Sequence, residues 1–277
     1  MSRMMIQAAV TMNQLQNKLD VIGNNMANSQ TTGYKAREAQ FSSLLFQQMD
    51  NLNTPENAEG RLTPDGIRIG AGARLGSINS NFGQGNIVTT DRALDTALLG
   101  RNHYFQIQVT TNDVTETRYT KDGAFYLSPV EGNQSVMLTT SDGNPVLGEN
   151  GPIIFADGFD NIDIRENGQV VVERAGQTEV AGTLAVVEAV RPEVLEATGE
   201  NMFRLPDLNA LGYNINEVLR QAPQNGALLQ SNALEQSNVD LSKEMTELIM
   251  TQRSYQFNSR TISMGDQMMG LVNSLRS

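Results

Sequence analysis

Residues 4–27, MMIQAAVTMNQLQNKLDVIGNNMA, decide the fold. Met5, Ala8, Met12, Leu15, Leu19, Ile22 and Met26 recur at alternating spacings of three and four. That rhythm keeps one apolar seam facing a partner along a supercoiling helix, so it predicts an amphipathic helix from about Met4 to Ala27. The residues that follow stop it. Asn24, Asn25, Asn28, Ser29, Thr31 and Thr32 offer the backbone side-chain hydrogen bonds that compete with a helix, and Gly33 reaches positive φ cheaply. Asn25, Asn28, Thr32, Gly33, Tyr34 and Lys35 are read as an ordered junction motif. Tyr34 and Lys35 there either set the step from helix to β structure or touch another chain.

The opposite end carries a second helical pattern, and it differs from the first. Leu241, Leu248, Tyr255, Ile262 and Met269 recur every seven residues, with Met245 and Val272 beside them. Met250, Phe257, Met264 and Leu271 form another seven-residue series two positions on, about 200° around a helix. A helix at the edge of a monomer buries one face. Two stripes imply two partners: the N-terminal helix for one and neighbouring copies for the other. The expected oligomerisation residues are therefore Met12, Leu15, Leu19, Ile22 and Met26 on the first helix. On the second they are Leu248, Met250, Tyr255, Phe257, Ile262, Met264 and Leu271.

Between the ends the pattern is that of strands and turns. Asp65-Gly66, Asp122-Gly123, Asp142-Gly143, Asp157-Gly158 and Asn167-Gly168 punctuate strand-like runs at Phe105–Val109, Asn161–Arg165 and Gln169–Glu173. Asn167-Gly168 between IDIRE and QVVVE is the clearest hairpin, and Thr183–Val190 reads as a further strand closed by Pro192. The expected fold is α+β, with N- and C-terminal helices pairing as a coiled coil around a mainly-β centre. The expected division is 1–50 for the N-terminal helical region and junction, 51–66 for a connector, 67–234 for the β domain and 235–277 for the C-terminal helix. A chain trimmed of residues 1–40 and 235–277 is accordingly expected to stay folded.

Composition removes most chemistry. The 277 residues include no Cys and a single His, so thiolate sites, disulfides and a His-based metal cluster are unavailable. His103, beside Tyr104, is the sole candidate histidine base. Without a Gly-x-Ser-x-Gly nucleophile motif it reads as a turn or strand-edge residue. Asp157, Asp160 and Asp163 are spaced by three rather than by the alternate positions of a calcium loop. No catalytic, cofactor or metal residue is assigned. The net charge of -11 sits in the middle: residues 51–234 carry twelve basic and twenty-three acidic side chains, while both ends are near neutral. An acidic, aromatic-poor centre argues against nucleic acid and anionic membrane as partners, and no stretch is apolar enough for membrane insertion or a cleaved signal.

The two ends then point to a family. LDVIGNNMANSQTTGYKAREAQF (19–41) resembles the N-terminal signature of bacterial flagellar rod and hook proteins, and ALEQSNVDLSKEMTELIMTQRSYQFNSRTI (233–262) resembles their C-terminal signature. TKDGAF (120–125), TSDGNPVLGENGPI (140–153) and RPEVLEATGENMFRL (191–205) are similar to the family's central strands and turns. The resemblance implies a structural subunit of the basal-body rod, exported unfolded through the flagellar secretion channel, with the export apparatus as a transient partner. Its lasting partners would be itself and other rod and hook axial proteins, with terminal helices as an inner layer and the β centre outside. The length leaves little room for a hook protein's extra domain, so a rod component resembling the hook-basal-body proteins of Gram-positive bacilli is the reading. A hook-type axial protein is the alternative, and a secreted β-rich cell-wall enzyme is the rival of another class. One departure stands out: where the family carries Gly-x-Gly-Phe-Phe, this chain has Gly100-Arg101-Asn102-His103-Tyr104-Phe105. Assembly must also be held off before export, and isolated ends too weak to order alone would do that.

Overall fold

The computed structural model describes residues 2–43, 46–49, 67–70, 73–111, 113–130, 134–199, 201–222 and 227–275. The expected connector 51–66, with its Asp65-Gly66 turn, lies outside the described residues. The chain divides into two compact units, each assembled from discontinuous segments. Residues 1–26, 37–79 and 241–277 form a helical unit, and residues 27–36 and 80–240 form a β unit.

The helical unit contains the N-terminal helix Ser2–Ala27 and the C-terminal helix Leu241–Ser274. Two strand pairs accompany them, Arg37–Ser43 with Ala73–Ser80 and, antiparallel, Phe46–Met49 with Ile67–Gly70. Among the described residues, no helix is long and apolar enough to cross a membrane.

The β unit is built on a six-stranded antiparallel sheet. Its order is Glu196–Gly199, Met202–Arg204, Val114–Thr120, His103–Thr111, Val186–Ala189 and Leu219–Gln221. Side chains alternate across a strand, and His103–Thr111 uses both sides. Phe105, Ile107 and Val109 enter the larger apolar cluster with Leu138, Ile164 and Val170, while Tyr104 enters a smaller one with Phe203 and Leu219. Edge-on aromatic pairs mark each side: Phe105 on Phe125 at 5.1 Å between ring centres, and Tyr104 on Phe203 at 5.7 Å. Burying a side chain such as Phe105 is worth about 1.5–3 kcal/mol. The β unit therefore carries most of the buried apolar surface among the described residues.

The Asn167-Gly168 hairpin forms as its sequence demands. Asn161–Ile164 pairs antiparallel with Gln169–Arg174, and Gly168 takes φ +86 while its N–H donates to the Arg165 carbonyl at 2.9 Å. Thr183–Val190 is not one strand. A strand ends at Thr183, and the next starts at Val186. Between them Leu184 N–H donates to Gly168 O at 2.8 Å and Ala185 N–H to Leu147 O at 3.0 Å, so the chain changes partners there. Asp122-Gly123 is a close backbone approach as much as a turn. A Cβ on Gly123 would stand 1.7 Å from the Thr96 carbonyl oxygen, which only glycine tolerates.

Candidate functional site

Within the helical unit the two long helices run antiparallel. Lys18 Nζ meets Glu247 Oε2 at 3.0 Å, and Asn25 Nδ2 donates to Glu244 Oε1 at 3.2 Å. A Cβ on Gly265 would stand 3.0 Å from Met5 Cγ. Residues 5, 18 and 25 of one helix thus face 265, 247 and 244 of the other.

The N-terminal helix turns one side inward. Ile22 and Ala8 are buried, and Met12, Leu15, Leu19 and Met26 are half-buried. On the C-terminal helix the two series separate over the middle of its length, while Leu241 and Met269, the end members of the first series, are exposed. Leu248, Tyr255 and Ile262 are half-buried, on the side that also holds buried Thr251 and Gly265. Met250, Phe257, Met264 and Leu271 are exposed, Phe257 by 67% and Leu271 by 65%. A row of large apolar side chains in water marks an interaction face.

Four hydroxyls on this helix are bonded within the helix itself. Thr246, Ser254, Thr261 and Ser263 each donate a hydroxyl to the carbonyl four residues earlier, at 2.9–3.2 Å. Hydroxyls bonded in this way can be covered by a neighbour without leaving a donor unsatisfied. Inside the helix pair, burial pushes the Glu244 carboxyl above the usual carboxylate range, and the Asn25 hydrogen bond partly offsets it. Glu244, Glu247 and Glu38 line a cavity of about 180 Å³ with Lys18, Lys243 and Arg37, so its charges balance.

The junction motif is held by side-chain chemistry rather than by a strand ladder. Asn25 Oδ1 accepts the Arg37 N–H at 2.9 Å, and its amide returns a bond to the Arg37 carbonyl at 2.8 Å. Asn28 turns the chain through bonds from Thr31. In the β unit, Thr32 Oγ1 donates to Asp122 Oδ1 at 2.8 Å. Gly33 adopts φ +66, and a Cβ there would stand 2.7 Å from the Lys121 carbonyl carbon. Tyr34 is buried.

Lys35 then reaches a site that the sequence did not announce. Its ammonium donates to Glu235 Oε1 at 2.6 Å and to the Gly83 carbonyl at 2.8 Å. Glu235 also accepts the Gly85 N–H at 2.8 Å, and its backbone carbonyl accepts from Gly33. Lys121 lies 3.8 Å from Glu235 Oε2, donates to the Arg101 carbonyl at 2.7 Å, and rests 5.2 Å from the Tyr104 ring centre. All three charged side chains are buried, and one carboxylate serves two ammoniums. Burial depresses both lysines, with Lys121 brought to about 8, further lowered by the Lys35 charge and partly restored by Glu235. Lys121 and Glu235 do lie inside the quoted motifs, yet no spacing rule signals that two distant segments will bury opposite charges together.

His103 opens the His103–Thr111 strand. Burial is the main cause that lowers its pKa, and its Nδ1 has no hydrogen-bond partner among the described residues. It packs so closely on Gly100 that a Cβ there would stand 2.1 Å from Nδ1, which accounts for the retained first glycine of the departed motif. Asp157 Oδ1 and Asp160 Oδ2 accept the backbone N–H groups of Gly158 and Ala175, both at 2.8 Å, and Asp163 sits exposed on a strand.

Three family models match this chain. "Flagella basal body rod protein" covers residues 7–35, "Flagellar hook protein FlgE/F/G D1 domain" covers 99–172, and "Flagellar basal body rod FlgEFG protein C-terminal" covers 230–275. The chain is 42% identical over 280 residues to the flagellar hook-basal body complex protein FlhP of Bacillus subtilis, covering 100% of both. It is 33% identical over 266 residues to the flagellar basal-body rod protein FlgG of the same organism, covering 95% of each. FlgG of Agrobacterium fabrum is 34% identical over 269 residues, at 96% coverage of each. These relatives are structural proteins of the basal body, and they leave the cell-wall enzyme reading without support.

Proposed function

Because the chain belongs to the flagellar basal-body rod and hook protein family, we propose that it is a structural subunit of the basal-body rod that polymerises through its terminal helices and transmits torque. The protein is not an enzyme, and its place is the flagellar basal body. The helices pair along Met12, Leu15, Leu19, Ile22 and Met26 on one side and Leu248, Tyr255 and Ile262 on the other, as a coiled coil. The terminal helices Ser2–Ala27 and Leu241–Ser274 form the inner layer of the shaft, and the strand-rich centre faces outward. Its partners are further copies, other rod and hook axial proteins and, during delivery through the secretion channel, the export apparatus.

The observation that carries the assembly mechanism is the exposed series Met250, Phe257, Met264 and Leu271. Each such side chain gains about 1.5–3 kcal/mol when it leaves water, so a row of them drives association once neighbours are in place. Phe257→Asp or Met264→Asp is expected to abolish assembly, seen by electron microscopy and sedimentation, while the circular dichroism of the β unit stays unchanged. Normal assembly by both variants would refute the reading.

A further inference from the structure

The outer face of the C-terminal helix needs a partner, and a shaft restricts what that partner is. An open helical assembly is made by head-to-tail contacts in which two different patches meet, so this face cannot pack on its own copy. It must meet another surface of the next subunit. The face is longer than its large apolar residues alone suggest. Ser254, Thr261, Met268 and Leu275 fall between and beyond them, giving alternating steps of four and three from Met250 to Leu275. Arg253 and Arg260 flank it, both exposed and in no ion pair among the described residues.

The N-terminal helix presents a matching second face. Ile6, Ala9, Asn13, Gln16, Asp20 and Gly23 follow steps of three and four, and all are exposed. Asp20 is the sole acidic residue of that helix and makes no ion pair among the described residues. Gly23 is a second clue. A glycine in a helix costs up to about 1 kcal/mol relative to alanine, and no atom lies within 4 Å of where its Cβ would be. Nothing within the subunit requires it to be small.

We infer that the outer face of the C-terminal helix packs antiparallel on the Ile6–Gly23 face of the N-terminal helix of the next copy, with Asp20 against Arg253 and Asn13 against Arg260. The inference rests on the assembly reading above. A screw operation along the shaft preserves helix polarity, so a neighbour's N-terminal helix opposes this C-terminal helix as its own does. The step from Asn13 to Asp20 equals that from Arg253 to Arg260, so one register satisfies both arginines. In that register Met250 comes over Gly23, Met264 over Ala9, and Ile6 seats beside Met268. The remaining face of the C-terminal helix, through Met245, Ile249, Gln252, Gln256, Ser259, Ser263 and Asp266, also carries one carboxylate, so cross-linking has to separate the two faces.

The absence of native cysteine makes cross-linking a clean test. Ile6→Cys protein mixed with Met268→Cys protein, assembled and mildly oxidised, is expected to give a disulfide-linked dimer that neither variant gives alone. Asp20→Arg and Arg253→Asp should each raise the concentration needed for assembly about tenfold, and the double exchange should restore it. Gly23→Leu should block assembly without loss of monomer helicity. Cross-linking of Met268→Cys to itself, or to Ile249→Cys in place of Ile6→Cys, overturns the inference. If Phe257→Asp abolishes assembly but the Ile6 and Met268 variants do not cross-link and the charge exchange does not recover, this pairing alone fails. If Phe257→Asp assembles normally, the assembly reading itself fails.

Discussion

Glu235 shows how much a single residue can hold. Its carboxylate gathers Lys35 from one end of the chain, the Gly85 N–H and Lys121, so one buried negative charge faces two buried positive ones. The pH dependence follows from the direction of each shift. Lys121 is depressed from 10.5 to about 8 in the folded protein and Lys35 is depressed as well, so the unfolded chain binds more protons above pH 8. Stability is therefore expected to rise with pH from about 8 towards 10.5, and to be level in this respect below 8. Tyr104 and Tyr119 are raised above 10 by burial, so they oppose the rise beyond pH 10. Urea midpoints measured from pH 7 to 10 test this, and Lys121→Met should flatten most of the slope. A midpoint that falls over that range would show that the cluster does not hold its lysines as described.

At the scale of elements, the two helices share a heptad rhythm but divide the work unequally. The N-terminal helix has one apolar side and one small, polar side, while the C-terminal helix is apolar on two. Sequence spacing alone separated Leu248, Tyr255 and Ile262 from Met250, Phe257, Met264 and Leu271, because two series offset by about 200° cannot share a face. Spacing did not show how the polar residues between them would be tolerated. The structure does: Ser254 and Thr261 bond to the carbonyls of Met250 and Phe257 at 2.9 and 3.0 Å. Ser254→Ala and Thr261→Ala are therefore expected to change monomer stability by no more than about 0.5 kcal/mol and to leave assembly intact or strengthened. Thermal unfolding and sedimentation of the two variants decide it, and lost assembly would mean the hydroxyls bond across the interface.

For the whole molecule, the β unit depends on segments that composition assigns to the ends. Residues 33–36 are buried in it, and Glu235 lies at its charged centre. A chain trimmed of residues 1–40 and 235–277 is thus expected to lose its fold or about 3–5 kcal/mol of stability, since it strands the Lys121 ammonium without a carboxylate. That reverses the expectation drawn from sequence. A chain kept from 27 to 240 should fold. Circular dichroism melts of the two chains give the answer, and equal melting temperatures would remove Glu235 from its role.

The terminal helices, their two kinds of apolar face, the Asn167-Gly168 hairpin and the family were all determined by the sequence itself, because periodicity and turn chemistry are local and need no knowledge of what lies across space. The antiparallel setting of the helices, the break at Leu184 and the buried meeting of Lys35, Lys121 and Glu235 were decided only by the tertiary structure. A charge is read from sequence as a surface residue by default, since burying it costs several kcal/mol. Only the fold, by bringing residues 35, 121 and 235 to one place, supplies the partners that offset the cost.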